Sequence, residues 1–175
     1  TQEEKGAQIL DVNVGLPEID EPALMEEAIT GIQAIIDLPL QIDTSDGEAM
    51  ERALRCYNGK PMLNSVNGKK ESMEMVFPLA KKYGAVVVCL CLDEGGIPET
   101  VEGRIAVARK IVDTAASYGI PKKNLVMDAL VLTISTGQDN AMITLETLRR
   151  LRYEMGLHTV LGVSNISFGL PERVR

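Results

Sequence analysis

The runs "AVVVCLCL" (85–92) and "NLVMDALVL" (124–132) are apolar at consecutive rather than alternate positions. A strand with one wet face alternates, whereas a strand covered on both faces does not. Such runs call for a parallel sheet sheathed by helices, and the rest of the chain is arranged to supply one. Strands are predicted near 8–14, 39–43, 61–65, 85–92, 124–131 and 159–164. Helices are predicted near 22–36, 47–57, 70–83, 101–118 and 139–155. Pro22 behind Asp20 and Glu21 marks a helix start, as do Ser45 and Asp46 before "GEAMERALRCY". In "PETVEGRIAVARKIVDTAASYG" the residues Val101, Ile105, Ala108, Ile111, Val112 and Ala115 share a face that stops at Gly119. "NAMITLETLRRLRYEMG" stops likewise at Gly156. Pro78 inside "MEMVFPLAKKYG" predicts a kink or a late start.

Strand followed by helix, repeated, means either a doubly wound sheet or a (β/α)8 barrel. The strand ends decide between them. Asp11 and Asn13 end "ILDVNVG", Asp43 ends "PLQID", Asn64 lies in "PMLNSVNG", Asp128 in "LVMDALV", and Ser164 and Asn165 in "LGVSNISFG". Polar side chains at the ends of several strands are how a barrel builds a site on its C-terminal face. A doubly wound fold would concentrate its signal in a glycine-rich first turn. No GxGxxG is present, and "NGKKES" fails as a phosphate loop because Leu63 stands where a glycine is required. Six strands are fewer than a barrel needs. The expected architecture is an incomplete (β/α)8 TIM barrel, one domain over 1–175, holding about strands 2 to 7 and lacking the first and last strand units.

The residue types suggest a ligand class. Asp46 reads as a helix cap, but Asp43 precedes other capping residues. Asp128 interrupts an apolar run and should be largely buried, with a ligand or water network as its partner. A carboxylate accepts two hydrogen bonds, and a side-chain amide offers one donor and one acceptor. That set suits a polar, neutral heterocycle rather than a phosphate, which would call for lysine, arginine or a glycine nest. The rival is Mg²⁺ on Asp11, Asp43 and Asp128; the amides at the other ends weigh against it, and no metal site is assigned. His158, the sole histidine, should precede its strand at the opposite end of the barrel, away from any chemistry.

Other classes fall away on composition. A net charge of −7 with 3% aromatic residues does not fit nucleic-acid binding. No apolar run reaches 18 residues and the N-terminus is acidic, so neither a membrane span nor a signal peptide is expected. Cys89 and Cys91 point the same way on one strand and read as buried reduced thiols of a cytoplasmic protein. "CLDEGGIP" reads as a solvated acidic loop.

"GAQILDVNVG", "PLQIDTSD", "KPMLNSVNG", "MDALVL" and "VLGVSNISFGLPER" together resemble the pterin-binding domain of methyltetrahydrofolate methyltransferases. That family includes the folate domain of cobalamin-dependent methionine synthase and the enzymes that methylate corrinoid proteins. The resemblance runs through nearly the whole chain in order, and Phe168 is closer to the methionine synthase branch. It implies a (β/α)8 barrel in which Asp43, Asn64 and Asp128 hold the pterin. Asn165 would lie beside N5, the nitrogen that gives up the methyl group, and Asp128 would position a proton-relaying water. Asp11 and Asn13 would shape the pocket floor, and Arg173 matches an arginine of some members. The implied methyl donor is 5-methyltetrahydrofolate, and the acceptor is a corrinoid, cobalamin, carried by a partner protein or domain. A homodimer is compatible with this. Two alternatives stay open: a dihydropteroate synthase-like enzyme, and a non-catalytic folate-binding module.

Overall fold

The computed structural model describes residues 1–171. Six strands form one sheet: β1 (Leu10–Val12), β2 (Leu40–Asp43), β3 (Met62–Asn67), β4 (Val86–Leu90), β5 (Leu125–Asp128) and β6 (His158–Val160). All neighbouring pairs are parallel, and spatial order equals chain order. Between them run α1 (Glu21–Gln33), α2 (Gly47–Cys56), α3 (Lys70–Tyr83), α4 (Val101–Ser117) and α5 (Asn140–Tyr153). Crossovers between parallel strands are right-handed, so a sheet wound steadily in one direction places every helix on the same face. The result is a (β/α) half-barrel, as the strand-end pattern implied. It is not a doubly wound sheet, which needs a reversal of strand order.

The two faces of the sheet have different jobs. Ile42, Leu63, Val87, Cys89, Cys91, Leu125 and Met127 point toward the helices and are wholly buried. Each large aliphatic side chain there contributes about 1.5–3 kcal/mol. Their strand neighbours Gln41, Asp43, Asn64, Val126 and Asp128 point to the concave face and stay partly open. Cys89 and Cys91 are free thiols on the helix side, and burial pushes the Cys91 thiol up to about 12.

Local chemistry sets the helix starts. The Asp20 carboxylate accepts from Ala23 N at 3.1 Å, with Pro22 in the first turn of α1. Asp46 accepts from Glu48 N and Ala49 N at 2.8 and 2.9 Å, so it caps α2 and Ser45 does not. Gly119 and Gly156 follow α4 and α5 in the left-handed region, as their stop roles require. Gly68 has a different task. Its N–H bonds Leu92 O at 2.7 Å, and a Cβ there would lie 2.8 Å from Val107 Cγ1 and 2.9 Å from Leu92 O. The glycine of "NGKK" is thus a close-packing residue between β3 and the end of β4.

Some expected boundaries move. β1 covers only Leu10–Val12 of the expected 8–14, and β6 covers His158–Val160, not 159–164. After Val160 the chain leaves the sheet and coils into a 3₁₀ turn, Val163–Ser167. β5 ends at Asp128 because the Asp128 carboxylate takes Leu130 N (2.8 Å) and Leu130 turns to φ 61. His158 is the first residue of its strand rather than preceding it, at the end of the sheet away from the C-terminal rim, and is exposed. α3 starts on time at Lys70 and carries Pro78 inside it, so the late start does not occur. Among the described residues, no helix is long and apolar enough to cross a membrane.

Candidate functional site

The polar strand ends come together along the C-terminal rim of the half-barrel. Asp43 closes β2 and sits in register with Asn64 of β3. Thr44 N bonds Asn64 O at 3.1 Å, which locks the two strand ends together. Asn13, one residue beyond β1, reaches across: its Nδ2 donates to Asp43 Oδ2 at 3.1 Å while its Oδ1 accepts from Gly15 N at 3.0 Å. Asp11 lies one layer deeper on the concave face, where Gln41 Nε2 donates to its Oδ1. Thr44 Oγ1 donates to Glu21 of α1 and accepts from Asp46 N at 3.0 Å.

A pocket of about 350 Å³ opens over these ends. Asp43, Asn64, Ser65 and Asn67 line it, and Ser72 and Met75 of α3 form its outer wall. Among the described residues, no lysine, arginine or histidine lines it. The side-chain amide of Asn64 makes no hydrogen bond within the described residues, and the Asp43 carboxyl, bonded by Asn13, also lies against that of Asp11. The pocket therefore presents the edge of a carboxylate beside an unpaired donor and acceptor from an amide. Burial, the strongest influence, raises the Asp43 carboxyl above its ordinary 3.8. The Asn13 amide opposes this, and the neighbouring Asp11 and Glu21 carboxylates reinforce it.

Asp128, at the end of β5, stands two strands beyond Asn64 and three beyond Asp43. It pairs with Leu90 of β4 and Val160 of β6, on the same concave face as Asp43 and Asn64. One carboxylate oxygen is used by Leu130 N; the other has no partner among the described residues. Burial raises its carboxyl as well, opposed by the Leu130 N–H and by the charge of Arg104. Asn165 lies in the 3₁₀ turn after β6 and is exposed. Its backbone closes the turn, N to Gly162 O and O from Phe168 N, both at 3.1 Å. Its side-chain amide is left unbonded among the described residues. Arg173 lies outside the described residues.

The pocket thus gathers Asp43 and Asn64, with Asn13 bonded behind Asp43. Asp11, Asp128 and Asn165 share the concave side or the rim but do not line it. Asp11, Asp43 and Asp128 do not form a Mg²⁺ set: among the described residues no three His, Cys, Asp or Glu side chains are grouped to hold a metal. Among the described residues one Asp128 oxygen has no partner, and the charged neighbour that the structure adds is Arg104. Arg104, wholly buried on α4, was not among the expected site residues. Its signal was present, since Arg104 shares helical spacing with the core residues Ala108, Ile111 and Ala115. Gln41, Glu21 and Thr44 were also missed; nothing in their local sequence marks their partners.

Residues 1–173 match the family model described as pterin binding enzyme. The chain is 30% identical over 181 residues to methionine synthase of Mycobacterium leprae, an alignment covering 97% of this chain and 15% of that protein. It is also 30% identical over 178 residues to methylcorrinoid:tetrahydrofolate methyltransferase of Eubacterium limosum, covering 98% of this chain and 65% of that one. The chain therefore spans less than two thirds of these curated relatives. Among solved structures it superposes on dihydropteroate synthase from Xanthomonas albilineans in complex with 7,8-dihydropteroate. That match has a TM-score of 0.70 and 24% identity, over 93% of this chain and 62% of that one. Yersinia pestis dihydropteroate synthase with a pterin–sulfa conjugate gives a TM-score of 0.71 at 17% identity, over 93% and 63%. At these identities the structural likeness speaks for the fold. The full-length family match, on a half-barrel whose strand ends carry unpaired carboxylate and amide groups, establishes that the chain belongs to the pterin binding enzyme family.

Proposed function

We propose that the protein transfers the N5 methyl of 5-methyltetrahydrofolate to a corrinoid carried by a partner protein or domain. The observation that carries this reading is the set of carboxylate and amide side chains of Asp43, Asn64, Asp128 and Asn165 along one rim, with no basic residue lining the pocket among the described residues. A pterin edge with an N–H beside an exocyclic amino group offers two parallel donors to a carboxylate, and the adjoining mixed edge suits an amide. Asp43, Asn64 and Asp128 bind and orient the ring in this reading, with Asp11 and Asn13 beneath. The corrinoid supplies the nucleophile that accepts the methyl group.

A tertiary amine departs poorly unless N5 gains a proton or a strong hydrogen bond as the C–N bond breaks. The Asn165 amide donates that bond, and Asp128 positions a water that relays the proton. A bond that tightens only in the transition state raises the rate, whereas one equally strong in the ground state merely tightens binding. The similarity to a methionine synthase and to a methylcorrinoid:tetrahydrofolate methyltransferase, each at 30% identity, supports this reading over the structural cousins. A dihydropteroate synthase would place a lysine near the end of the last strand, where this chain has Ser164 and Asn165. A folate-binding module without activity would need no group at N5.

The test is methyl transfer from 5-methyltetrahydrofolate to Co(I) cobalamin by the full-length protein with EDTA present. Transfer is expected without divalent metal. Folate binding that EDTA abolishes and Mg²⁺ restores overturns the site. Condensation of a dihydropterin pyrophosphate with p-aminobenzoate in place of transfer would select the synthase reading.

A further inference from the structure

Arg104 is wholly buried in the first turns of α4. Burying a guanidinium costs several kcal/mol unless its donors are met, and here they are met unequally. Nε donates to Pro98 O at 3.0 Å. Nη1 donates to Ala129 O and Leu130 O, both at 2.8 Å, and to Thr144 Oγ1 at 3.3 Å. Nη2 is buried with no partner among the described residues. All the bonds made, except that to Thr144, go to backbone carbonyls of the loops that end β4 and β5. None goes to a carboxylate, and Arg104 forms no ion pair within 4 Å among the described residues. A structural arginine that needed only neutralisation would sit against an acid.

We infer that Arg104 is a positioning residue for Asp128. Its fork pins the two residues that follow Asp128 and so aims that carboxylate along the rim. The geometry is specific. With Ala129 O and Leu130 O held by one nitrogen, Leu130 is turned into the left-handed region, which brings Leu130 N onto Asp128 Oδ1 at 2.8 Å. The other carboxylate oxygen is left free. The guanidinium charge then favours the ionised carboxylate, the form that accepts two bonds, in a half-buried place where a lone Asp drifts toward its neutral form. Among the described residues, two titratable or charged groups bear on Asp128 from the elements around it: Arg104 of α4 and the Cys91 thiol just beyond β4. That thiol is neutral at physiological pH. The field at Asp128 is therefore Arg104's. The role in folate binding rests on the reading of the site above, whereas the coupling of Arg104 to Asp128 does not.

The experiment compares Arg104→Lys, which keeps the charge, with Arg104→Gln, which keeps polar donors but loses the charge. The Asp128 carboxyl is titrated by carbon-13 NMR without ligand, and 5-methyltetrahydrofolate affinity is measured against pH in the same proteins, with Asp128→Asn as reference. Expected is an Asp128 midpoint near the parent's in the lysine variant and about one pH unit higher in the glutamine variant. Folate affinity should be lost at correspondingly higher pH in the glutamine variant. A role limited to packing moves both variants alike, and equal midpoints in the two overturn the inference. Should the glutamine variant fail to fold, the lysine variant decides: a parent-like midpoint upholds the coupling, and one raised by a full pH unit overturns it. If folate affinity ignores every variant, Asp128→Asn included, while the midpoints separate as stated, the coupling stands and the pterin role of Asp128 falls.

Discussion

The rim of the half-barrel has two halves held by different means. Around β1 to β3 the polar ends are tied directly to one another. Asn13 bonds Asp43, Asp43 is in register with Asn64, and Thr44 N closes onto Asn64 O. Around β5 and β6 the polar ends are held through loops. Asp128 depends on Arg104 for the course of the residues after it. Asn165 sits in a turn whose tether is a loop-to-loop contact: Ile134 N to Ile166 O at 3.1 Å and Thr133 Oγ1 to Phe168 O at 2.6 Å. Exposed apolar side chains gather there too, including Met142, Leu145, Val163 and Phe168. Strand register is a rigid way to place a group, whereas loops resting on loops open at lower cost. In the proposed reaction the first half grips the pterin and the second carries the group that must tighten during methyl transfer.

The largest expected effect lies in the loop-borne half. Asn165→Ala should slow methyl transfer by roughly 10²–10³ while folate binding falls less. Single-turnover transfer to Co(I) cobalamin, with the folate dissociation constant of the same variant, reads both. A folded, folate-saturated variant that transfers at the parent rate removes Asn165 from the mechanism.

The gripping half should show up in affinity. Asp43→Ala, and Asp128→Ala across the rim, should each cost about 1–3 kcal/mol of folate binding, because each leaves ligand donors unpaired. Parent-like binding in both would mean that the pterin lies elsewhere. These carboxyls also predict a pH dependence. Both are raised above the ordinary 3.8 in the fold. The accepting, ionised form is therefore lost on acidification at a higher pH than for a free carboxylate, and folate affinity should fall there. For folding the sign is opposite. A raised carboxyl stabilises most below about 3.8, and that contribution is lost as pH rises through the raised value. Asp43→Asn should then melt higher than the parent at neutral pH; a lower melting temperature would contradict the burial argument.

Thr133→Val separates the two halves more finely. Removing its hydroxyl frees the turn that carries Asn165, so transfer should drop about tenfold with folate affinity unchanged. A matching loss of affinity would show that the halves are not independent. The smallest effect is expected at Asp46→Ala, which removes the α2 cap beside the rigid half. About 1 kcal/mol of stability should go, seen as a lower urea midpoint, with transfer normal in the folded protein. A changed transfer rate would mean that the β2 loop is less rigid than its hydrogen bonds suggest.

What the sequence by itself determined is the winding of the chain and the strand ends at which its polar residues stand. Continuous apolar runs, helical spacing and caps are local signals, and they placed six strands and five helices in order. The same reading set Asp43, Asn64 and Asp128 at the ends of strands, where a barrel gathers its site. Only the tertiary structure decided where the strands stop and who holds whom. β6 ends at Val160 because the chain coils into the 3₁₀ turn, and β5 ends at Asp128 because its own carboxylate captures Leu130 N. The partner of Asp43 is 30 residues away and is chosen by strand register. Arg104 shares the helical spacing of its core neighbours, but nothing in the local sequence marks its partners. Its burial follows from the approach of the two loops after β4 and β5, whose carbonyls offer it acceptors that no local pattern records. Periodicity reports which way a side chain points, while hydrogen bonding and charge burial depend on what the fold brings opposite it.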